Sequence, residues 1–192
     1  MTSPAMSPAL TPEQIDKVFD EADLLYGPEE IESAYDRIAA AITETLGRYS
    51  NPLVLAAPTG GLFPATEIIS RLDFALEVDY IHVTRYRGDI TGNELHFLAR
   101  PQTSLRDRTI IVIDDILDEG PTLTAILDFC RESGAQKVYS AVLVEKDHDR
   151  KTGILHADFT GLVVQDRYVF GCGMDYKGYL RNVRGIYAVK GL

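Results

Sequence analysis

The sequence predicts an α/β fold, a parallel sheet with helices on both faces. Residues 53–57, 109–113 and 138–144 are short apolar runs, two of them rich in β-branched residues, as expected for buried strands. Amphipathic stretches with helical spacing separate them. Alternating strands and helices are typical of a parallel sheet, in which ligands bind at the carboxyl ends of the strands.

The individual elements follow from local patterns. A helix is predicted over residues 28–47, which open with Pro and close with Gly. Its apolar positions recur at helical spacing: Ile31, Ala34, Tyr35, Ile38, Ile42 and Leu46. After the strand at 53–57 we expect a helix through Ile68 and Ile69 and then one strand containing Val78, Ile81 and Val83. A helix over residues 122–133 and a strand over 161–164 complete the prediction.

Composition limits the class of protein. The 192 residues, 45% apolar and 25% charged, suit one domain, which we place at residues 11–192 after a disordered segment at 1–10. The net charge of −10 argues against nucleic acid as a partner. No apolar stretch approaches the length of a membrane span, and two cysteines are too few for a disulfide framework. We therefore expect a cytoplasmic protein that binds no membrane.

The most informative segment is residues 109–122, TIIVIDDILDEGPT. An apolar strand leads into Asp114 and Asp115, Asp118 follows three residues later, and a Gly turn then opens a helix. Unpaired N–H groups at a helix amino terminus suit a phosphate, and the two aspartates suit two vicinal hydroxyls or a hydrated magnesium ion. The segment predicts a cradle for ribose 5-phosphate, with its phosphate turn at Glu119, Gly120, Pro121 and Thr122.

Other interpretations of this segment exist. Acidic residues after a strand are often solvated turn residues. A P-loop nucleotide site is disfavoured because the sequence contains no G-x-x-x-x-G-K-[ST] motif. A calcium loop is disfavoured because the acidic residues do not alternate toward a glycine at the sixth position.

The same segment resembles the signature of the type I phosphoribosyltransferases: an apolar strand, two acidic and two apolar residues, then Asp, Thr, Gly and a helix beginning with Thr. Glu119 stands where the family usually has Thr, and Pro121 removes one backbone donor. The resemblance implies a parallel-sheet fold with a small hood from the N- and C-terminal segments. It also implies that Asp118 is the general base.

In the hypoxanthine-guanine branch of this family the resemblance continues downstream. Lys146, at the end of VLVEK, matches the lysine that contacts the purine 6-oxo group. The resemblance also implies that Tyr168 stacks on the base and that the Val169 carbonyl accepts a hydrogen bond from the base edge. The alternatives are a solvated surface lysine and core aromatics at Tyr168 and Phe170.

The resemblance also identifies a pyrophosphate and metal side of the site. The PTGG turn carries Thr59 and Gly60, where many members have a lysine and often a cis peptide bond. Arg181 matches an arginine for pyrophosphate, and Asp175 a ligand of Mg²⁺, the implied cofactor. A plain glycine turn and a surface arginine are the alternatives. Asp114 and Asp115 complete the implied metal ligands.

Residues 85–101 are long for a connection and predict a lid over the site. Tyr86 matches the family's closing-loop tyrosine, and Arg85 replaces the neighbouring serine.

Taken together, the resemblance implies transfer of the phosphoribosyl group of phosphoribosyl pyrophosphate to hypoxanthine or guanine by a homodimer or homotetramer. Two alternatives stay open. One is a relative that prefers xanthine. The other is a regulator that keeps the phosphoribosyl pyrophosphate site and binds RNA, against which the acidic charge counts.

Overall fold

The computed structural model describes residues 10–48, 50–85 and 95–191. The segment predicted as disordered, residues 1–10, lies outside them except for Leu10. The elements in chain order are α1 (Pro12–Glu21), β1 (Asp23–Tyr26), α2 (Pro28–Leu46), β2 (Leu53–Ala56), α3 (Leu62–Ile69), β3 (Glu77–Tyr80), β4 (His82–Arg85), β5 (Leu95–Ala99), β6 (Thr109–Leu117), α4 (Pro121–Glu132), β7 (Lys137–Asp147), β8 (Phe159–Gln165), β9 (Val169–Phe170) and β10 (Ile186–Ala188).

A five-stranded sheet in the order β3-β2-β6-β7-β8 forms the centre of the fold, and every neighbouring pair in it is parallel. Side chains of β6 alternate between its two faces, as the pleat of a strand requires. Ile111 and Ile113 pack with α2 and α3, whereas Ile110 and Val112 pack with α4. The predicted parallel sheet with helices on both faces is confirmed.

Helix α2 begins and ends close to the prediction. Pro28 occupies its first turn, where a missing N–H costs no helical hydrogen bond, and Glu30 accepts a hydrogen bond from the Gly27 N–H at 2.9 Å. Five of the six apolar positions predicted for its core face are buried: Ile31, Ala34, Tyr35, Ile38 and Ile42. The apolar spacing therefore identified the packed face of the helix correctly.

A second, antiparallel sheet joins the two ends of the chain in the order β1-β10-β9. It corresponds to the small hood that the resemblance implied. Ile186 and Ala188 of β10 belong to the same hydrophobic cluster as α2 and the main sheet. The hood and the sheet therefore share one core.

Two predicted elements need correction. The single strand expected through Val78, Ile81 and Val83 is two strands: β3 belongs to the main sheet, and β4 pairs with β5 in a separate hairpin. Ile81 lies between them and is fully buried, which explains why the apolar run looked continuous. The strand expected over residues 109–113 continues to Leu117, so Asp114 and Asp115 lie within it rather than beyond its end.

None of the helices in the described ranges is both long and apolar enough to cross a membrane.

Candidate active site

The acidic pair lies in β6, between the backbone ladders of β2 and β7. Asp115 is buried, and its N–H donates to Asp114 Oδ1 at 2.9 Å. Burial raises the pKa of both carboxyls, and at Asp114 the nearby charge of Asp115 raises it further. Two adjacent carboxylates held in this way favour a cationic or hydrogen-bond-donating ligand.

The turn after β6 forms a cup of about 170 Å³ at the amino terminus of α4. Gly120 has φ +93°, a left-handed conformation that glycine adopts without steric cost, and Pro121 occupies the first helical position. Within the described residues, the N–H groups of Gly120, Thr122 and Leu123 donate to no acceptor. The cup therefore presents several backbone donors and the positive end of the helix dipole.

Glu119, the departure from the family signature, lies in the same turn. Its carboxylate is 3.9 Å from the Arg150 guanidinium, and its carbonyl accepts from the Thr152 N–H at 2.8 Å. The negative charge that Glu119 adds to the cup is thus partly balanced by Arg150, which follows β7 in the chain.

The PTGG turn closes tightly against β6. The peptide bond between Pro58 and Thr59 is cis, as the resemblance implied. A Cβ added to Gly60 would stand 1.8 Å from Asp115 Oδ2, so no larger residue fits there without displacing the carboxylate. A Cβ added to Gly173 would meet the Gly60 carbonyl oxygen at 2.4 Å. Three segments of the chain therefore converge on Asp115.

Asp118 and Lys146 meet across neighbouring strands. Leu117, the last residue of β6, pairs with Glu145 of β7, which places Asp118 beside Lys146. Lys146 Nζ lies 2.8 Å from Asp118 Oδ2, and the lysine side chain is 11% exposed. Lys146 is thus a nearly buried cation, and the solvated surface lysine of the sequence alternative is wrong.

The Asp118 carboxyl has a second donor, His148 Nε2, 2.8 Å from Oδ1. Burial raises the pKa of Asp118, but the hydrogen bonds from Lys146 and His148 outweigh it and hold the pKa below its usual range. Asp118 is therefore ionised at neutral pH, as a proton acceptor must be.

The two aromatic residues of the base segment have different environments. Phe170 is fully buried and stacks on Tyr187 with ring centroids 5.6 Å apart. Tyr168 is 40% exposed, makes an edge contact with Tyr176, and lines the cleft together with Val169. Phe170 is a core residue, whereas Tyr168 presents its ring to the cleft.

Arg181 joins the acidic groups on the opposite side. Its Nη2 lies 2.6 Å from Asp175 Oδ1, its Nη1 lies 3.8 Å from Asp115 Oδ2, and it also donates to the Gly173 carbonyl. Asp175 Oδ2 accepts from the Gly178 N–H at 2.6 Å. The surface arginine of the sequence alternative is wrong, because Arg181 links two of the predicted metal ligands.

One cleft of about 420 Å³ collects most of the predicted site. It is lined by Pro58, Thr59, Gly60, Asp114, Asp115, Ile116, Asp118, Lys146, Tyr168, Val169, Met174, Asp175 and Arg181. The cup at the amino terminus of α4 adjoins it and shares Asp114, Asp115, Ile116 and Asp118 with it. The predicted lid stays a prediction. Tyr86 lies outside the described residues, and Arg85 is the last residue of β4, where only its backbone is described.

Sequence reasoning missed His148 and Asp166 at this site. His148 follows Lys146 by two residues and lies directly after the end of β7 at Asp147, a spacing that continues the alternation of the strand onto the face of Lys146. That spacing was the available signal. Asp166 pairs with Arg150 and lies 3.7 Å from Lys146 Nζ, contacts that only the folded chain reveals.

Comparison with known proteins agrees with this geometry. Residues 23–177 match the phosphoribosyl transferase domain family. The hypoxanthine-guanine-xanthine phosphoribosyltransferase of Tritrichomonas foetus is 30% identical over 160 residues, covering 83% of this chain and 87% of that protein. The hypoxanthine-guanine phosphoribosyltransferase of Bacillus subtilis is 30% identical over 172 residues, covering 89% and 94%.

A solved structure of a hypoxanthine phosphoribosyltransferase from Staphylococcus aureus has the same fold. Its TM-score is 0.81 at 24% identity, and the match covers 90% of this chain and 94% of that one. With the family match over residues 23–177 and two relatives aligned over most of their length, the chain belongs to the phosphoribosyl transferase domain family.

Proposed function

We propose that this protein transfers the 5-phosphoribosyl group of phosphoribosyl pyrophosphate to hypoxanthine or guanine, releasing pyrophosphate and giving IMP or GMP for purine salvage. One observation carries the proposal: a single cleft brings Asp118, Lys146 and Tyr168 together beside the acidic pair of β6. The names of the relatives from Tritrichomonas foetus and Bacillus subtilis support the same two bases.

The base lies against Tyr168, whose half-exposed ring offers a stacking face. Lys146 donates to the 6-oxo group of the purine. Against a 6-amino group the ammonium meets only further donors and stays unpaired, which disfavours adenine. The Val169 carbonyl accepts from the base edge.

The phosphoribosyl group occupies the other half of the site. The 5-phosphate lies in the cup at Glu119, Gly120, Pro121 and Thr122. The N–H groups of Gly120 and Thr122, which have no acceptor among the described residues, and the helix dipole attract an anion there. The ribose hydroxyls donate to Asp114 and Asp115. The Thr59–Gly60 turn binds the pyrophosphate, since within the described residues both N–H groups donate to no acceptor.

The donor set of this half fits magnesium. Asp114, Asp115 and Asp175 supply carboxylate oxygens, the ligands that Mg²⁺ prefers. Burial raises the pKa of Asp115, and a divalent cation beside it offsets that penalty on the charged form. When bound, the ion neutralises charge on the departing pyrophosphate. Arg181 adds a guanidinium suited to the same anion.

Asp118 takes the proton from the purine ring N–H while the carbon–oxygen bond to pyrophosphate breaks and the carbon–nitrogen bond to the base forms. The proton ends on the Asp118 carboxylate and the bonding electrons leave with pyrophosphate. The partly cationic ribose carbon must be kept from water during this exchange, because water would hydrolyse it.

The test is an assay of the purified protein with phosphoribosyl pyrophosphate, Mg²⁺ and five nucleobases, namely hypoxanthine, guanine, xanthine, adenine and uracil. We expect turnover of hypoxanthine and guanine and none of adenine or uracil. Equal turnover of adenine contradicts the role of Lys146, and no turnover of any purine contradicts the proposed activity. The xanthine assay tests the third base in the name of the Tritrichomonas foetus relative.

Two further proposals concern organisation. Residues 11–192 form a single domain, supported by the core that the hood and the main sheet share. The chain forms a homodimer or homotetramer, as the resemblance implied, and light scattering of the purified protein measures this directly.

A further inference from the structure

His148 occupies a position next to the site to which the proposed reaction assigns no role. Its side chain is 5% exposed, and Nε2 lies 2.8 Å from Asp118 Oδ1. The other oxygen of the same carboxyl, Oδ2, accepts from Lys146 at 2.8 Å. Each oxygen of the proposed base is thus engaged by a different side chain.

The tautomer of His148 follows from its second contact. The backbone N–H of Arg150 donates to Nδ1 at 3.1 Å, so that nitrogen is an acceptor and the ring proton is on Nε2. Nε2–H then donates to a carboxylate that can only accept. Neither nitrogen has a lone pair available to take a proton from Asp118, so His148 cannot relay the proton onward.

The charged groups around His148 form a closed network. A carboxylate oxygen of Asp166 lies within 4.8 Å of the ligating atoms of both His148 and Asp118. Arg150 pairs with Asp166, and Lys146 lies between the two carboxylates, 2.8 Å from Asp118 and 3.7 Å from Asp166. Two cations, Lys146 and Arg150, already neutralise the two carboxylates, which disfavours a metal ion at this cluster.

We propose that His148 is a positioning residue for the transfer reaction: it fixes Asp118 through Oδ1, so that Oδ2 faces the purine ring proton once Lys146 turns to the 6-oxo group. The inference rests on the proposed function, in which Asp118 is the proton acceptor. The inference extends the proposed function by giving the two donors to Asp118 different parts. When the base binds, Lys146 leaves Asp118 for the 6-oxo group, whereas His148 keeps its hydrogen bond to Oδ1. The carboxylate then keeps both its orientation and its ionised form.

Replacement of His148 separates this role from simple packing. His148→Leu fills similar space but cannot donate, whereas His148→Gln places an amide N–H near the position of Nε2. Loss of a hydrogen bond to a charged group corresponds to roughly a tenfold fall in turnover. We expect that fall in His148→Leu with an unchanged KM for phosphoribosyl pyrophosphate, and recovery of most of the turnover in His148→Gln.

The pH profile gives the second kinetic measurement. The donors lower the pKa of Asp118, so removing one of them raises it. The acid limb of kcat/KM should therefore move to higher pH in His148→Leu and return toward the wild-type position in His148→Gln. Packing alone does not predict this shift.

A measurement without catalysis separates failure of this inference from failure of the proposed function. The pKa of the Asp118 carboxyl is followed by ¹³C NMR titration, with the resonance assigned by its loss in Asp118→Asn. A higher pKa of Asp118 in folded His148→Leu supports the hold of His148 on this carboxylate, and if the wild-type protein then transfers no phosphoribosyl group, it is the proposed function that fails. An unchanged pKa with wild-type turnover overturns it, as does a His148→Gln variant that is no better than His148→Leu in both measurements.

Discussion

Lys146 and Asp118 form a hydrogen-bonded ion pair, with Nζ 2.8 Å from Oδ2, at the carboxyl ends of two adjacent parallel strands. The proposed function assigns the first residue to the purine oxo group and the second to the purine ring proton. Lys146 and Asp118 therefore neutralise each other while the cleft holds no base. In that proposal, binding of a 6-oxopurine replaces this ion pair with contacts to both groups, whereas a 6-aminopurine breaks the pair and leaves Lys146 without an acceptor.

The first prediction concerns Asp118→Asn, which keeps the size of the side chain and removes its basicity. Turnover should fall by roughly 10²–10⁴-fold, the usual contribution of a positioned base, while the affinity for phosphoribosyl pyrophosphate persists. Asp115→Asn is the matched comparison and should lose more affinity for phosphoribosyl pyrophosphate than Asp118→Asn does. Near wild-type turnover in Asp118→Asn assigns proton transfer to another group.

The second prediction concerns Asp175→Asn. One oxygen of Asp175 pairs with Arg181 and the other accepts from Gly178 N–H, so an amide retains part of this local structure. Loss of a carboxylate ligand should raise the Mg²⁺ concentration that gives half-maximal rate by roughly tenfold or more, since even the loss of a group that supports a metal ligand costs about that much affinity. Asp73→Asn, at an exposed ion pair with Arg48, is the control. An unchanged magnesium titration in folded Asp175→Asn counts against the metal assignment.

The third prediction concerns Gly60→Ala. The added methyl group would stand 1.8 Å from Asp115 Oδ2, and Asp115 cannot retreat easily because it is buried. We expect a loss of about 1–3 kcal/mol in the free energy of unfolding, as for other overpacked sites, together with a higher KM for phosphoribosyl pyrophosphate. Gly27→Ala is the control, since its methyl group meets only Glu30 Oε2 at 3.8 Å. Equal behaviour of the two variants in urea denaturation and kinetics refutes the prediction.

The sequence predicted the main sheet and the three helices that pack on it, because these elements bury regular apolar faces. It did not separate β3 from β4, since Ile81 between them is as buried as a strand residue. The individual strands of the hood were not predicted either. They are only two to four residues long, and their partners are distant in the chain, so their pattern is too short to recognise.

The candidate site also divides into residues that the sequence identified and residues that it did not. Residues with a fixed spacing from a strand end, such as Asp118 and Lys146, could be identified from the sequence. His148 carried a local signal, its two-residue spacing from Lys146, but its contact with Asp118 depends on the register between β6 and β7. Asp166 depends on the course of the chain after β7, which no local pattern specifies. The acidic pair was expected beyond its strand because carboxylates are rare in strand interiors, yet β6 continues to Leu117.

A buried network next to the site provides the last prediction. Glu145 Oε1 accepts from Lys151 at 2.7 Å and from His156 at 2.6 Å, and Oε2 accepts from Thr160 at 2.9 Å. The side chains of Glu145 and Lys151 are 8% and 7% exposed. Burial raises the pKa of Glu145, but these hydrogen bonds outweigh it and hold the pKa below its usual range.

A depressed pKa in the folded state means that folding favours the ionised carboxylate. Its contribution to the free energy of unfolding is therefore complete above the unfolded pKa of about 4.3 and is lost as pH falls through the folded value. Glu145→Gln should cost about 3 kcal/mol at pH 7, because it leaves Lys151 buried without its carboxylate, and less near pH 3. Glu77→Gln, at the more exposed pair with Arg108, should cost about 1 kcal/mol or less. Urea denaturation at both pH values measures the difference, and an equal cost of Glu145→Gln at pH 7 and pH 3 would exclude an ionised Glu145 as the source of the stability.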